Sequence, residues 1–131
     1  MYGERQDPAS PYSGVISRFL EAYKNSTALT IFGDGLQSRD FINVKDVAAA
    51  NVLALKSKET GALNIATGVP ESLLDMIKYL EQAGDKPAQL VYAPARAGDI
   101  RASYAAVDGA ATQLNFRHTI GLKEGMAQLV G

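Results

Sequence analysis

At 131 residues, 47% of them hydrophobic and 21% charged, the chain has the size and balance of one compact domain with a single core. Its 13 basic and 14 acidic side chains leave a net charge of −1, too small a field to recruit nucleic acid or an anionic membrane, so any anion must be held by a few placed residues. The lack of cysteine excludes disulfides, thiolate metal sites and thiol nucleophiles; with no leader-like N-terminus and no apolar run approaching about 18 residues, the sequence predicts a soluble, cytoplasmic protein.

Tyr2-Gly3-Glu4-Arg5-Gln6-Asp7-Pro8 and Ser10-Pro11-Tyr12-Ser13-Gly14 are polar and proline-bounded, a loop running into a helix start. Val15, Ile16, Phe19, Leu20 and Tyr23 then recur at helical spacing and predict one apolar stripe on a helix from Ser13 to Lys24, ended by Asn25-Ser26-Thr27. Leu29 to Phe32 reads as a short strand. Gly33-Asp34-Gly35 supplies the positive φ angles of a tight reversal, and a second extended run carries Arg39 and Asp40, so a hairpin is expected with Arg39 beside the rim of its turn. As bare chemistry two readings stand open: a structural hairpin with an exposed ion pair, or an arginine offered to a ligand.

Asn43 or Asp46 can cap the next helix, on which Val47, Ala50, Leu53 and Ala54 are apolar and Lys56 and Lys58 suit the negative end of the dipole; Asp46 reads as a structural cap before a catalytic acid. Gly61 breaks the chain, Ala62-Leu63-Asn64-Ile65-Ala66 is a buried-strand candidate, and Thr67-Gly68-Val69-Pro70 is a turn. Ser72 and Asp75 approximate a capping box for a helix carrying Leu73, Leu74, Ile77 and Leu80 and ending near Gly84. Leu90-Val91-Tyr92 is a further strand candidate between Pro87 and Pro94. In Arg96-Ala97-Gly98-Asp99-Ile100-Arg101 the bare residues fit either a solvated loop or an anion-holding one, and Asp108 is expected to cap a short helix through Leu114. Three main helices with short extended pieces between them predict a small mixed α/β domain instead of a complete doubly wound sheet.

Phe32-Gly33-Asp34-Gly35-x-Gln37-x-Arg39-Asp40-Phe41-x-x-Val44-x-Asp46-Val47 resembles a segment of the C-terminal, sugar-nucleotide-binding part of NAD-dependent epimerases and dehydratases, which are extended short-chain dehydrogenases; the UDP-glucose 4-epimerase type is the nearest. Tyr2-Gly3-x-Arg5-Gln6 is similar to the loop that follows a central strand of the family's nucleotide-binding sheet. Asn64-Ile65-Ala66-Thr67-Gly68 resembles a family strand and turn, with Ala66 in place of a glycine, and Gly121-Leu122-Lys123-Glu124-Gly125-Met126 resembles its final amphipathic helix. Ala106 stands where the family usually has an aspartate, which leaves the register of the last third open.

The resemblance implies a substrate-binding half set apart from its cofactor half, for which on the order of 150 further residues upstream would be needed. It implies substrate-binding roles for Phe32, Arg39, Arg96 and Asp99, with the arginines on a nucleotide diphosphate and the aspartate on the ribose hydroxyls. A UDP-sugar is the implied partner, and NAD is implied for the full-length family with no cofactor site in this chain. If the cofactor half is absent, the stripe from Val15 to Tyr23 is expected to lack cover and to find another copy of the chain or a separate Rossmann-domain chain.

The catalytic parts of such an enzyme are not legible. Gly33-x-Gly35 is followed by Ser38 where a dinucleotide fingerprint has its third glycine. Tyr2, Tyr12, Tyr23, Tyr79, Tyr92 and Tyr104 are followed four residues on by Gln6, Ile16, Thr27, Ala83, Arg96 and Asp108, so no Tyr-x-x-x-Lys pair is available for proton transfer. His118 is the lone histidine and reads as a solvated turn residue, which leaves a metal site or a Ser-His-Asp triad without its parts. The expectation is a nucleotide-sugar-binding domain, catalytically incomplete alone; the alternatives are a self-associating module and one half of a split epimerase.

Overall fold

The computed structural model describes residues 1–131, and its first helix, α1, is Val15–Lys24. Ile16, Phe19 and Tyr23 fall on its buried face because a 3.6-residue period returns them to one side. That face packs on β1 (Leu29–Phe32), α3 (Leu73–Gly84) and α5 (Leu122–Val130). Leu29 and Ile31 of β1, Met76, Ile77 and Leu80 of α3, and Leu122 and Met126 of α5 join it in one cluster of 13 buried residues. The stripe expected to lack cover is therefore covered from within: Ile16, Phe19 and Tyr23 are buried, and Val15 and Leu20 pack against the same cluster. The cover comes from α3 and α5, which pack on α1.

α3 starts where the sequence predicts, with Ser72 Oγ accepting from Asp75 N–H and Asp75 Oδ2 accepting from Ser72 N–H at 3.0 Å each, and it ends with Asp85 in the left-handed region at φ 50°. α2 (Val44–Lys56) is capped by Asn43, whose side chain accepts from Lys45 N–H at 2.9 Å. Asp46, one turn in, does a different job: only 2% exposed, it accepts from Thr119 N–H and Oγ1–H and from Ile120 N–H, and so fastens α2 to the start of α5. A second, smaller cluster, Ile42, Ala50, Ala110 and Phe116, joins α2 to α4 (Asp108–Gln113).

The expected hairpin does not form. β1 is not the first arm of a hairpin: it pairs in parallel with β4 (Leu90–Ala93), Leu29 opposite Leu90 through Phe32 opposite Ala93. β2 (Ser38–Asp40) lies instead at the centre of a second sheet, antiparallel to β3 (Pro70–Ser72) and parallel to β5 (Ala102–Ser103). The reason is local: Gln37 is buried and donates its Nε2–H to Phe32 O at 3.0 Å, so a side chain takes the carbonyl that a hairpin partner would need. Residues 62–66 form no strand, since no other strand lies beside them; Ile65 packs on the smaller cluster and Ala66 is buried. Asp108 does not cap α4 either, whose first turn has no side-chain cap. The three main helices and the two shorter ones expected at 108–114 and after Gly121 are all present, and the mixed α/β class stands. Of the apolar positions of α2, Leu53 and Ala54 are exposed, as are Val52 and Leu55. No helix is long and apolar enough to cross a membrane.

Tyr2 anchors the N-terminal segment. Its N–H donates to Ile42 O at 2.9 Å, its carbonyl accepts from Val44 N–H at 2.7 Å, and its ring, 2% exposed, lies where a Cβ on Gly125 would be. In an open helix, replacing glycine by alanine gains up to about 1 kcal/mol in propensity. At position 125 the added methyl meets the Tyr2 ring in a full core, a penalty of about 1–3 kcal/mol. Gly125→Ala is therefore expected to lower stability, and a urea midpoint at or above that of the wild type would refute the packing argument.

Candidate functional site

A cleft of about 590 Å³ opens between α1, β1 and the loop that follows β4. Phe32, Arg39, Arg96 and Asp99, the four residues singled out from the sequence, all line it. Phe32 closes β1, and beyond it Gly33 and Gly35 adopt φ of 94° and 77°, which only glycine takes without strain. Asp34 Oδ1 accepts from Leu36 N–H at 2.9 Å inside that turn. The chain thus re-enters as β2 with Arg39 at its centre.

Arg39 Nη2–H donates to Asp99 Oδ1 at 2.8 Å and its Nη1–H to Ser38 O at 2.7 Å; the two charged side chains are 29% and 34% exposed. Arg96 lies over the Phe32 ring, its guanidinium carbon 3.9 Å from the ring centre. Between them Gly98, at φ 78°, lets Asp99 N–H reach Arg96 O at 3.2 Å. Two arginines and a carboxylate from distant stretches therefore converge on one wall of one cleft.

Arg101 behaves differently. Its Nη1–H donates to both oxygens of Asp34, at 2.8 and 3.0 Å, and it is not part of the cleft lining. The bond to Arg101, followed by that from Leu36 N–H, holds the Asp34 carboxyl below the usual aspartate range, and the same bond raises Arg101. Because both are at the surface the pair stabilises little. It tethers the loop to the β1–β2 turn, helped by Ser38 N–H donating to Arg101 O at 2.9 Å.

The floor of the cleft carries a feature the sequence reading missed. Leu29 N–H donates to Gln89 O at 2.7 Å and Gly33 N–H to Ala93 O at 2.9 Å, and a parallel ladder engages alternate residues, so Thr30 and Phe32 turn their backbone groups to the opposite edge. β1 has no neighbour there. Gln37 takes Phe32 O, which leaves the N–H and C=O of Thr30 as a free donor and acceptor at a residue that lines the cleft. The available signal was the phase of Leu29-Thr30-Ile31-Phe32, in which the polar residue points away from the buried pair Leu29 and Ile31.

The carboxylates do not assemble an acid/base pair. Asp34 is engaged by Arg101, Asp99 by Arg39, and Asp40 by Thr67 N–H, Thr67 Oγ1–H and Gly68 N–H at 2.7 to 2.9 Å. His118 is a half-buried loop residue and no three metal-binding side chains gather. Gly33 and Gly35 do not form a dinucleotide-binding turn: they lead into β2 and not into a helix N-terminus, where a pyrophosphate would find free N–H groups and the dipole.

Comparison with known proteins bears on this geometry. The family model described as the NAD dependent epimerase/dehydratase family matches residues 1–66. The UDP-glucose 4-epimerase of Mycolicibacterium smegmatis is 34% identical over 131 residues, covering 99% of this chain and 42% of that protein. The crystal structure of UDP-glucose 4-epimerase with UDP-glucose from Thermotoga maritima superposes with a TM-score of 0.91 at 34% identity, over 98% of this chain and 41% of that one. The UDP-glucuronic acid 4-epimerase of Bacillus cereus, in complex with UDP-glucuronic acid and NAD, gives 0.85 at 31% identity, over 95% of this chain and 40% of that one. The chain thus spans about two fifths of the length of these relatives.

Proposed function

We propose, for a chain that belongs to the NAD dependent epimerase/dehydratase family, that its cleft binds the nucleotide diphosphate of a nucleotide-sugar and that these 131 residues do not by themselves turn that ligand over. The observation that carries the reading is the meeting of Phe32, Arg39, Arg96 and Asp99 on one cleft. A guanidinium presents a planar fork that donates paired hydrogen bonds to phosphate oxygens and stays charged at any working pH. Asp99 supplies an acceptor for ribose hydroxyls, and the open edge of β1 supplies a donor and an acceptor for the edge of a base. The relatives solved with UDP-glucose and UDP-glucuronic acid point to a UDP-sugar as the ligand class.

Epimerisation needs a hydride acceptor and an acid/base group of tuned pKa. NAD supplies the first when bound in the family. The groups of this chain bind and orient the nucleotide, and none of its tyrosines has the lysine partner four residues on. A second reading, docking of a further chain such as a separate cofactor domain or another copy, is favoured by one observation: Val52, Leu53 and Leu55 on the outer half of α2 are 49%, 36% and 86% exposed.

Titration of the purified chain with UDP by calorimetry or NMR tests the first reading. Weak, saturable, salt-sensitive binding is expected, with no NAD retained and no epimerisation of UDP-glucose. At 100 times the dissociation constant, UDP should add about 2.7 kcal/mol to stability. Absence of saturable binding would leave the docking reading standing, and turnover by the isolated chain would overturn the claim of incompleteness.

A further inference from the structure

Of the residues that line the cleft, Gln37 is the only polar one that is buried, at 8% exposed. A buried amide has to spend its hydrogen-bonding groups. Its Nε2–H donates to Phe32 O at 3.0 Å, and because a carbonyl only accepts, that bond fixes which end of the amide is nitrogen. The oxygen, Oε1, is left over. It accepts nothing within the chain, yet no buried side-chain nitrogen or oxygen of the protein lacks a partner, so Oε1 is open to solvent. The cleft is the opening that Gln37 lines. The arginines of the cleft, Arg18, Arg39 and Arg96, offer donors only, and Asp99 is engaged by Arg39, so Gln37 supplies a kind of group that they do not.

The amide is held where it stands. Gln37 O accepts from Leu73 N–H at 3.3 Å at the start of α3, and the side chain reaches across to the end of β1, so backbone and amide are both tied before any ligand arrives. A preset acceptor of this kind costs a ligand little ordering. Gln37 also directly precedes β2, two residues ahead of Arg39, a separation of at most about 7 Å along an extended chain. Phosphate oxygens are acceptors at neutral pH and gain nothing from Oε1. Within that distance of a phosphate on a nucleotide-sugar lies the ring bonded to it, ribose on one side and the sugar on the other, and the base is one ring further away. Both rings carry hydroxyls, and a hydroxyl can donate.

We propose that Gln37 is a specificity-determining residue: its Oε1 accepts a hydrogen bond from a hydroxyl of a ring bonded to the diphosphate, and so favours a diphosphate that carries such a ring over a bare one. The proposal rests on the nucleotide-sugar reading of the cleft. The bond to Phe32 O sets the geometry, and the free oxygen does the reading. A ligand that covers Oε1 without offering a donor leaves an unpaired acceptor behind, which costs more than the missing bond is worth. A ring hydroxyl meets the requirement without a charge, so this selectivity depends little on salt, in contrast to the hold of the arginines on phosphate.

The test is titration of the wild type and of Gln37→Met with inorganic pyrophosphate, UDP, CDP and UDP-glucose at fixed ionic strength. Methionine keeps the length of the side chain and adds no charge, so pyrophosphate, which has no hydroxyl on a ring, is the reference for any disturbance of the arginines. Gln37→Met is expected to hold pyrophosphate within about twofold and to lose about fivefold for ring-bearing ligands, the worth of one neutral hydrogen bond. An equal loss for UDP, CDP and UDP-glucose assigns the hydroxyl to the ribose; a loss confined to UDP-glucose assigns it to the sugar. In the wild type, the NMR resonance of the Gln37 side-chain amide should move on binding UDP-glucose and stay in place with pyrophosphate, a readout that stands even if the variant does not fold. Unchanged ratios to pyrophosphate overturn the proposal, as does an equal fall for pyrophosphate, which marks a structural role, or a loss for UDP but not CDP, which places the contact on the base. If the wild type binds none of the nucleotides, the nucleotide reading fails and this proposal with it; if Arg39→Ala weakens UDP binding while Gln37→Met changes no ratio, the proposal fails alone.

Discussion

Asp46→Ala is expected to cost on the order of 3–5 kcal/mol of stability, a large share of the 5–15 kcal/mol typical of a domain. The carboxylate is 2% exposed and accepts at 3.0, 2.8 and 3.0 Å from Thr119 N–H, Thr119 Oγ1–H and Ile120 N–H. Alanine would leave those donors without their acceptor next to the start of α5, whose Leu122 and Met126 belong to the main core. The penalty of an orphaned buried donor, about 1–3 kcal/mol, exceeds the net gain of making an average hydrogen bond, and that asymmetry sets the size of the effect. Asp46→Asn should cost about half as much in the same units. Its remaining oxygen can keep the two bonds from Thr119, while its amide group faces Ile120 N–H with a donor. Urea unfolding of the three proteins decides it: a loss below about 1 kcal/mol for the alanine variant, at unchanged denaturant slope, would show that water replaces the carboxylate at no cost.

How much of this was legible depended on whether the deciding interaction was local. The Ser72–Asp75 capping box, the Asn43 cap and the stripe on α1 are written within one or two turns of sequence, and they form at the predicted places. The strands were legible as extended segments but not as partners: Leu29–Phe32 finds Leu90–Ala93, some sixty residues away, and Gln37 intervenes where a hairpin bond would have formed. The failure at 62–66 has the same origin, since an apolar run becomes a strand only when another strand offers its backbone. Asp46 shows the limit most sharply. An acid in the first turn of a helix is a good local match for the dipole, and nothing nearby in sequence announces that its partners are Thr119 and Ile120.

For the cleft the balance was different. Bare residues left Arg39 and the loop 96–101 undecided between a solvated surface and a site; the resemblance alone nominated Phe32, Arg39, Arg96 and Asp99 together. Their gathering on one cleft is a tertiary fact, as is the diversion of Arg101 to Asp34. Thr30 escaped notice because a threonine in a short strand looks ordinary in its own segment, and only the pairing of β1 with β4 shows that its backbone groups face an open edge.

Arg39→Ala is expected to weaken UDP binding by about 30- to 100-fold, the largest binding loss among the cleft substitutions. Two effects add. The diphosphate loses a charge-assisted donor, and Asp99, now without the partner 2.8 Å away, presents an uncompensated negative charge to the ligand. The existing Arg39–Asp99 pair does not withhold Arg39 from a phosphate, because a pair whose side chains are 29% and 34% exposed is worth only about 0–1 kcal/mol, less than one bond from guanidinium to phosphate. Arg96→Ala should lose less, about tenfold, and Arg101→Ala little, since Asp34 already holds that side chain. Asp99→Ala separates the roles by sign. It frees Arg39 and removes a repelling charge, so inorganic pyrophosphate should bind several-fold more tightly; it also removes the ribose acceptor, so UDP should gain less than pyrophosphate or lose affinity outright. Raising the ionic strength should shrink the pyrophosphate gain, because the repulsion acts in a partly solvated cleft. If Asp99→Ala instead weakens UDP and pyrophosphate equally, Asp99 serves to hold Arg39 in position and does not touch the nucleotide.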